Sequence, residues 1–297
     1  MRVGVVILPE YAWPEAQSIW SEAESIGFDH AWTYDHLAWR SLKRSSWYSS
    51  IPTLAAAALT TRVIKLGTLV TSPNFRHPVP LAKDVMTLDD ISRGRFILGI
   101  GAGAAGLDEH IIGSPPLSLA HRGNRFREFV DIMDALLRNG YTDYAGRHYT
   151  INEAPMIPGC VQQPRAPFAI AATGRKGIRT AARHAQIWVT NGDPKRFGEL
   201  SEGEALALAA AQRATLEGEC QEIGRNFSEI ATMVNGSVVG ENPTDSLPAF
   251  LSFARRCADL GFSDLTVHFP RVDGIFAGNR EKFKHIMTEA LPAVREL

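Results

Sequence analysis

"IKLGTLVTSPNFRHPVPLAKDVMTLDDISRGRFILGIG", residues 64–101, holds two short apolar runs, 64–70 and 95–101, separated by a helical stretch. Each run is near-continuously apolar, the mark of a strand buried on both faces. Such strands with a helix between them imply a parallel sheet covered by helices. The unit recurs along the chain. "RVGVVIL" (2–8), "HAWTY" (30–34), "PFAIAAT" (167–173), "IWVTN" (187–191), "EIATMVNGSVV" (229–239) and "DLTVHF" (264–269) bring the runs to eight. Between them lie helical stripes: Phe126, Phe129, Val130, Met133, Leu136 and Leu137; Leu247, Phe250, Leu251 and Ala254; Phe283, Ile286, Met287 and Ala290. Eight units in 297 residues predict an α/β protein with the (β/α)8 TIM-barrel architecture, typically about 250 residues long.

The extra length falls at 104–120, a Pro/Gly-rich excursion after the fourth strand, and at 141–166, which reads as a hairpin followed by a Pro-rich loop. No low-complexity linker separates two halves, so residues 1–297 are expected to form a single domain with two insertions. Thirty-one basic against 32 acidic residues leave a net charge of -1, with no basic tract or acidic tail for nucleic acid or a membrane surface. A small-molecule substrate is the expected partner. Cys160, Cys220 and Cys257 are widely spaced and suggest neither a disulfide framework nor a metal site. The apolar run at the N-terminus is too short for a signal peptide or membrane span, so a cytoplasmic protein is expected.

"GAGAAG" (101–106) matches the dinucleotide fingerprint GxGxxG, but its context is wrong. No helix opens there, Pro115-Pro116 follow, and three βα units precede it. What remains useful is that Gly101 and Gly103 end a strand where bare backbone admits a flat ligand.

"FDHAWTYDHLAWR" (28–40) contains Asp-His twice. A strand rises about 3.3 Å per residue, so His30 and His36 should sit roughly 20 Å apart at opposite ends of the barrel. The C-terminal ends of barrel strands carry active sites and the N-terminal ends serve stability. Asp35-His36 is therefore the candidate proton-handling pair, with Asp35 expected to orient His36. Asp29-His30 reads as scaffold. After the third strand, Asn74, Arg76 and His77 are either ligand contacts or loop caps. "ATGRKG" (172–177) opens the helix "GIRTAARHAQ", whose free N–H groups and dipole favour a phosphate.

In "TYDHLAWR", "LGTLVTSPNFRHPVPLAKDVMTLDDISRGRFILGIGAG", "RFREFVDIMDALL" and "PFAIAATGRKG" the chain resembles the bacterial-luciferase-like oxidoreductases, (β/α)8 barrels that use flavin mononucleotide (FMN) or the deazaflavin coenzyme F420. The resemblance runs from the first strand to the last helix. In the deazaflavin branch, Asp-His at the end of strand two is followed by Trp, which implies Asp35, His36 and Trp39 as catalytic residues. That branch's bulge, with a non-proline cis peptide, maps to Leu69-Val70. The resemblance also implies ring contacts at Ala102 and Gly103, a phosphate on Thr173, Gly174, Lys176 and Gly177, and further cofactor contacts at Thr71, Gly101, Ala172, Arg175 and Asn191. Trp39, Phe75 and Arg76 would face the substrate. Members that oxidise glucose 6-phosphate carry Glu directly after the strand-four Gly-x-Gly, whereas this chain has Ala104, which disfavours that activity.

The function implied is an F420H2-dependent reductase acting on an activated C=C or C=N bond of a small or natural-product-type substrate. The alternatives are a two-component FMN monooxygenase served by a separate flavin reductase, and a barrel that binds a flavin without turnover. The resemblance also implies a homodimer.

Overall fold

The computed structural model describes residues 1–297 except 105, 194, 197, 198, 240 and 241. Eight parallel strands close into a barrel: β1 (Arg2–Val6), β2 (His30–Thr33), β3 (Lys65–Thr68), β4 (Phe96–Gly101), β7 (Phe168–Ala171), β8 (Ile187–Thr190), β9 (Ala231–Asn235) and β10 (Asp264–His268). β1 pairs with β10, with Val6 opposite His268, which completes the ring. All eight apolar runs hold a barrel strand, and the fold is the predicted (β/α)8 TIM barrel. The run 229–239 is overlong as a strand. It stops at Asn235, whose side chain accepts the Ser237 N–H and starts a turn.

Helices α1 (Trp13–Ile26), α2 (Ser50–Thr60), α3 (Pro78–Ile91), α5 (Leu119–Arg138), α6 (Arg175–His184), α7 (Glu202–Glu222), α8 (Leu247–Asp259) and α9 (Arg280–Arg295) surround the strands. The predicted stripes face inward: Phe126, Phe129, Met133 and Leu136 on α5 are buried, as are Phe250 and Ala254 on α8. Residues 141–166 contain the hairpin β5 (Tyr141–Ala145) and β6 (Thr150–Pro155), paired outside the barrel. Residues 104–120 carry a short helix, α4 (Leu107–Ile111), where only a loop was expected. Ala105, within that insertion and the GAGAAG motif, lies outside the described residues. Among the described residues no helix is long and apolar enough to cross a membrane.

Asp29 and His30 lie at the N-terminal end of the barrel. Trp32 Nε1 donates to His30 Nδ1 at 2.6 Å, so the ring carries its proton on Nε2 and gives it to Asp264 Oδ1 at 3.2 Å. Burial alone would raise the Asp264 carboxyl, but bonds from His30, Arg2 and Ser263 hold it down at about 2. Asp29 accepts the Val3 N–H at 2.9 Å. These bonds knit β1, β2 and β10 together.

Candidate active site

At the other end, the loops after the strands enclose a cavity of about 460 Å³. A depression of about 590 Å³ beside Arg2, Lys65 and Phe227 opens at the N-terminal end, away from these loops. The upper cavity has two unlike walls. Leu69, Val70, Gly101, Ala102, Gly103 and Ala172 form a smooth one, and Tyr34, Trp39 and Phe276 an aromatic one.

The smooth wall owes its shape to backbone geometry. The Leu69-Val70 peptide is cis, and Thr71 beyond it rejoins β4 by a bridge to Ile100. A Cβ on Gly101 would come within 2.5 Å of Val70 Cγ2. Gly103 has φ +73°, and a Cβ there would stand 2.5 Å from Asn74 Nδ2, so both positions need glycine. Ser72 Oγ is buried without a hydrogen-bond partner, although Ser72 lines the cavity. A flat surface edged by an unsatisfied hydroxyl fits a planar heterocycle.

His36 lines the cavity, but Asp35 does not orient it. Extended backbone sends successive side chains to opposite sides, and Asp35 turns away, 1 % exposed. It receives Arg76 Nη2 at 2.7 Å, Arg76 Nε at 3.1 Å, Ser50 Oγ at 2.5 Å and Thr71 Oγ1 at 2.8 Å. Asp35 therefore binds α2 and the β3 bulge to the end of β2. The carboxylate beside His36 is Asp108 on α4: its Oδ2 lies 2.7 Å from His36 Nδ1, and its Oδ1 accepts the Leu37 N–H at 2.8 Å. With Nδ1 engaged, Nε2 is the ring nitrogen left for chemistry.

α4 is itself anchored. Glu109 meets Arg125 Nη2 at 3.0 Å, and the same nitrogen reaches Asn74 Oδ1 at 2.6 Å. Asn74 Nδ2 donates to the Ala104 carbonyl and Arg122 to that of Gly103. Asn74 thus braces the glycine loop, while His77 caps α3 by accepting the Val79 N–H.

Three further expectations are corrected. Arg76 is committed to Asp35, and Phe75 lies under the Arg76 guanidinium at 4.8 Å, so neither lines the cavity. Thr71 is fully buried with its hydroxyl on Asp35. Arg175 points away toward α7, its Nε 2.7 Å from the Glu219 carboxylate. Thr173 and Asn191 do line the cavity, beside the N-terminus of α6 at Gly174, which has no side-chain cap. Lys176 is exposed, and Gly177 packs on Ala172.

Of the aromatic wall, the sequence motifs point only to Trp39. Trp39 stacks with Phe276, centroids 6.1 Å apart, and Phe276 lies on His268 at 3.6 Å. Tyr34 and His268 Nε2 share a 2.8 Å hydrogen bond. Burial lowers the His268 imidazole to about 3 and raises the Tyr34 phenol, so both are neutral. Arg271 clamps the Phe276 loop, contacting Glu10 at 2.7 and 2.8 Å and the carbonyls of Asp273 and Ile275.

The family model for the luciferase-like monooxygenases matches residues 1–246. The chain belongs to this family. Among luciferase-like relatives, the 5,10-methylenetetrahydromethanopterin reductase of Archaeoglobus fulgidus is 32 % identical over 219 residues, 72 % of this chain and 60 % of the reductase. The chain thus spans under two thirds of that relative's length. The F420-dependent glucose-6-phosphate dehydrogenase of Beutenbergia cavernae is 28 % identical over 84 % of this chain and 86 % of its own. Among solved luciferase-like folds, the F420-dependent tetrahydromethanopterin reductase of Methanopyrus kandleri superposes with a TM-score of 0.77 at 18 % identity, covering 98 % of both chains.

Proposed function

We propose that this protein is an oxidoreductase that moves hydride between F420 and an activated C=C or C=N bond of a small substrate. The observation that carries it is the His36–Asp108 pair set at the edge of a flat, glycine-walled cleft. The relatives named for F420, the glucose-6-phosphate dehydrogenases, support the deazaflavin over FMN.

Val70, Ala102 and Gly103 would hold the ring, Ser72 would meet its polar edge, and Thr173 with the α6 N-terminus would take its phosphate. Bound there in reduced form, a deazaflavin supplies a hydride equivalent. The protein's own residues do the rest. Asp108 fixes the His36 ring and holds a proton on Nδ1, leaving Nε2 to give a proton to the substrate or take one from it. Trp39, Tyr34 and Phe276 exclude water and lay a planar substrate against the smooth wall. Ala104 stands where the glucose-6-phosphate enzymes carry Glu, so sugar phosphate oxidation is not the proposed reaction.

Titrating the protein with F420 and with FMN, followed by fluorescence, tests this reading. Micromolar affinity for F420 is expected. Tight FMN binding with none for F420 would favour the two-component monooxygenase, with its separate flavin reductase. Turnover unaffected by His36→Ala would remove the proposed role of this pair, and F420 binding with no turnover at all would leave a barrel that only binds.

A further inference from the structure

We propose that the substrate half of the cavity is built for a flat, conjugated molecule bearing a carboxylate, and that Arg40 is its anchor. This rests on reading the cavity as an oxidoreductase site.

Among the described residues lining the cavity, Arg40 is the one Arg or Lys and Asp108 the one acid. Asp108 is used up by His36 and Leu37, so nothing in the cavity balances the guanidinium. Arg40 has no carboxylate partner among the described residues; its contact is the Trp39 ring, whose centroid lies 5.3 Å from Cζ. That places a cation on the aromatic wall, where a planar substrate would lie. Its charge also reaches Tyr34 in the same wall, where it opposes the burial-driven rise of the phenol.

The backbone points the same way. Four non-glycine residues have positive φ among those described, and two of them, Arg40 at 36° and Phe276 at 61°, contact Trp39 in this wall. Left-handed conformations in non-glycine residues cluster where a site needs a side chain placed. A guanidinium binds a carboxylate through two parallel N–H bonds, which would fix both position and orientation of the substrate. The neutral polar groups nearby, Asn235 and Ser237, could not select charge.

The test compares trans-cinnamate with trans-cinnamamide, equal in shape and different in charge, by calorimetry on F420-loaded protein. Cinnamate should bind about tenfold more tightly or better, the usual scale for a charge-assisted pair. Arg40→Gln and Arg40→Gly should abolish that preference while leaving F420 affinity unchanged, and Arg40→Lys should keep part of it. The glycine variant relaxes the left-handed backbone, so loss in both variants is loss of charge. Equal binding of the two probes, no saturable binding of either, or a fall in F420 affinity in Arg40→Gln would overturn the proposal, the last by placing the guanidinium on the cofactor. Failure of the wild-type protein to bind F420 would instead remove the functional reading, and the probe comparison, repeated on FMN-loaded or cofactor-free protein, would still decide whether Arg40 selects an anion.

Discussion

His36 Nδ1 and Asp108 Oδ2 meet at 2.7 Å although 72 residues of chain separate them. The two sit on different parts of the fold: His36 follows a barrel strand, and Asp108 belongs to the short helix in the insertion after β4.

If Asp108 positions His36, Asp108→Asn should lower kcat by about tenfold to a hundredfold, with F420 affinity changed little. Steady-state kinetics set beside F420 titration would check this, and an unchanged kcat would return Asp108 to a purely structural part.

Asp35 is expected to matter for stability. Asp35→Ala strands the Arg76 guanidinium and should cost about 3 kcal/mol, measurable by urea unfolding. Pairing Asp35→Leu with Arg76→Met should recover part of that loss, because both charges then leave together. A double variant no more stable than Asp35→Ala would contradict the account.

Acid should weaken the fold through His268. Its imidazole titrates near 6.5 when unfolded and at about 3 when folded. Between those values the unfolded chain binds a proton that the folded chain refuses. The stability from this group is therefore full above pH 6.5 and declines as pH drops toward 3, by up to about 1.4 kcal/mol per pH unit. His268→Gln should flatten unfolding midpoints over that window; parallel curves for variant and parent would rule the residue out as the source.

Gly103→Ala tests the smooth wall. The left-handed φ should cost about 1 to 2 kcal/mol, and the new methyl must displace Asn74 from its bonds to Ala104 and Arg125. F420 binding should weaken more than global stability does. Calorimetric affinity set beside thermal unfolding separates the two.

The barrel was legible because its evidence is local: each strand shows as an apolar run, and eight runs leave few architectures open. His36 was legible for the same reason, being the Asp-His at the right end of a strand. Its partner was not, because adjacency in sequence suggested Asp35, while pleating sends neighbouring side chains apart. Asp108 sits in "LDEH", a stretch that carried no reach signal across 72 residues. The aromatic wall was hidden likewise, since Phe276 meets Trp39 only once the barrel has closed. Arg175 shows the opposite case, a cation in a phosphate-like motif that Glu219 draws away.

Phe276 lies on the loop between β10 and α9, so the aromatic wall is assembled from chain segments far apart in sequence. Tyr34 reaches His268, Trp39 reaches Phe276, and Glu10 reaches Arg271, so residues early in the chain are joined to late ones across the β1–β10 seam. In chain order the smooth wall is complete by residue 172, whereas the aromatic wall needs Phe276. The chamber is therefore shared across that seam: the loop after β2 supplies Tyr34 and Trp39, and the loop between β10 and α9 supplies Phe276, so loss of Phe276 would leave Trp39 without its stacking partner.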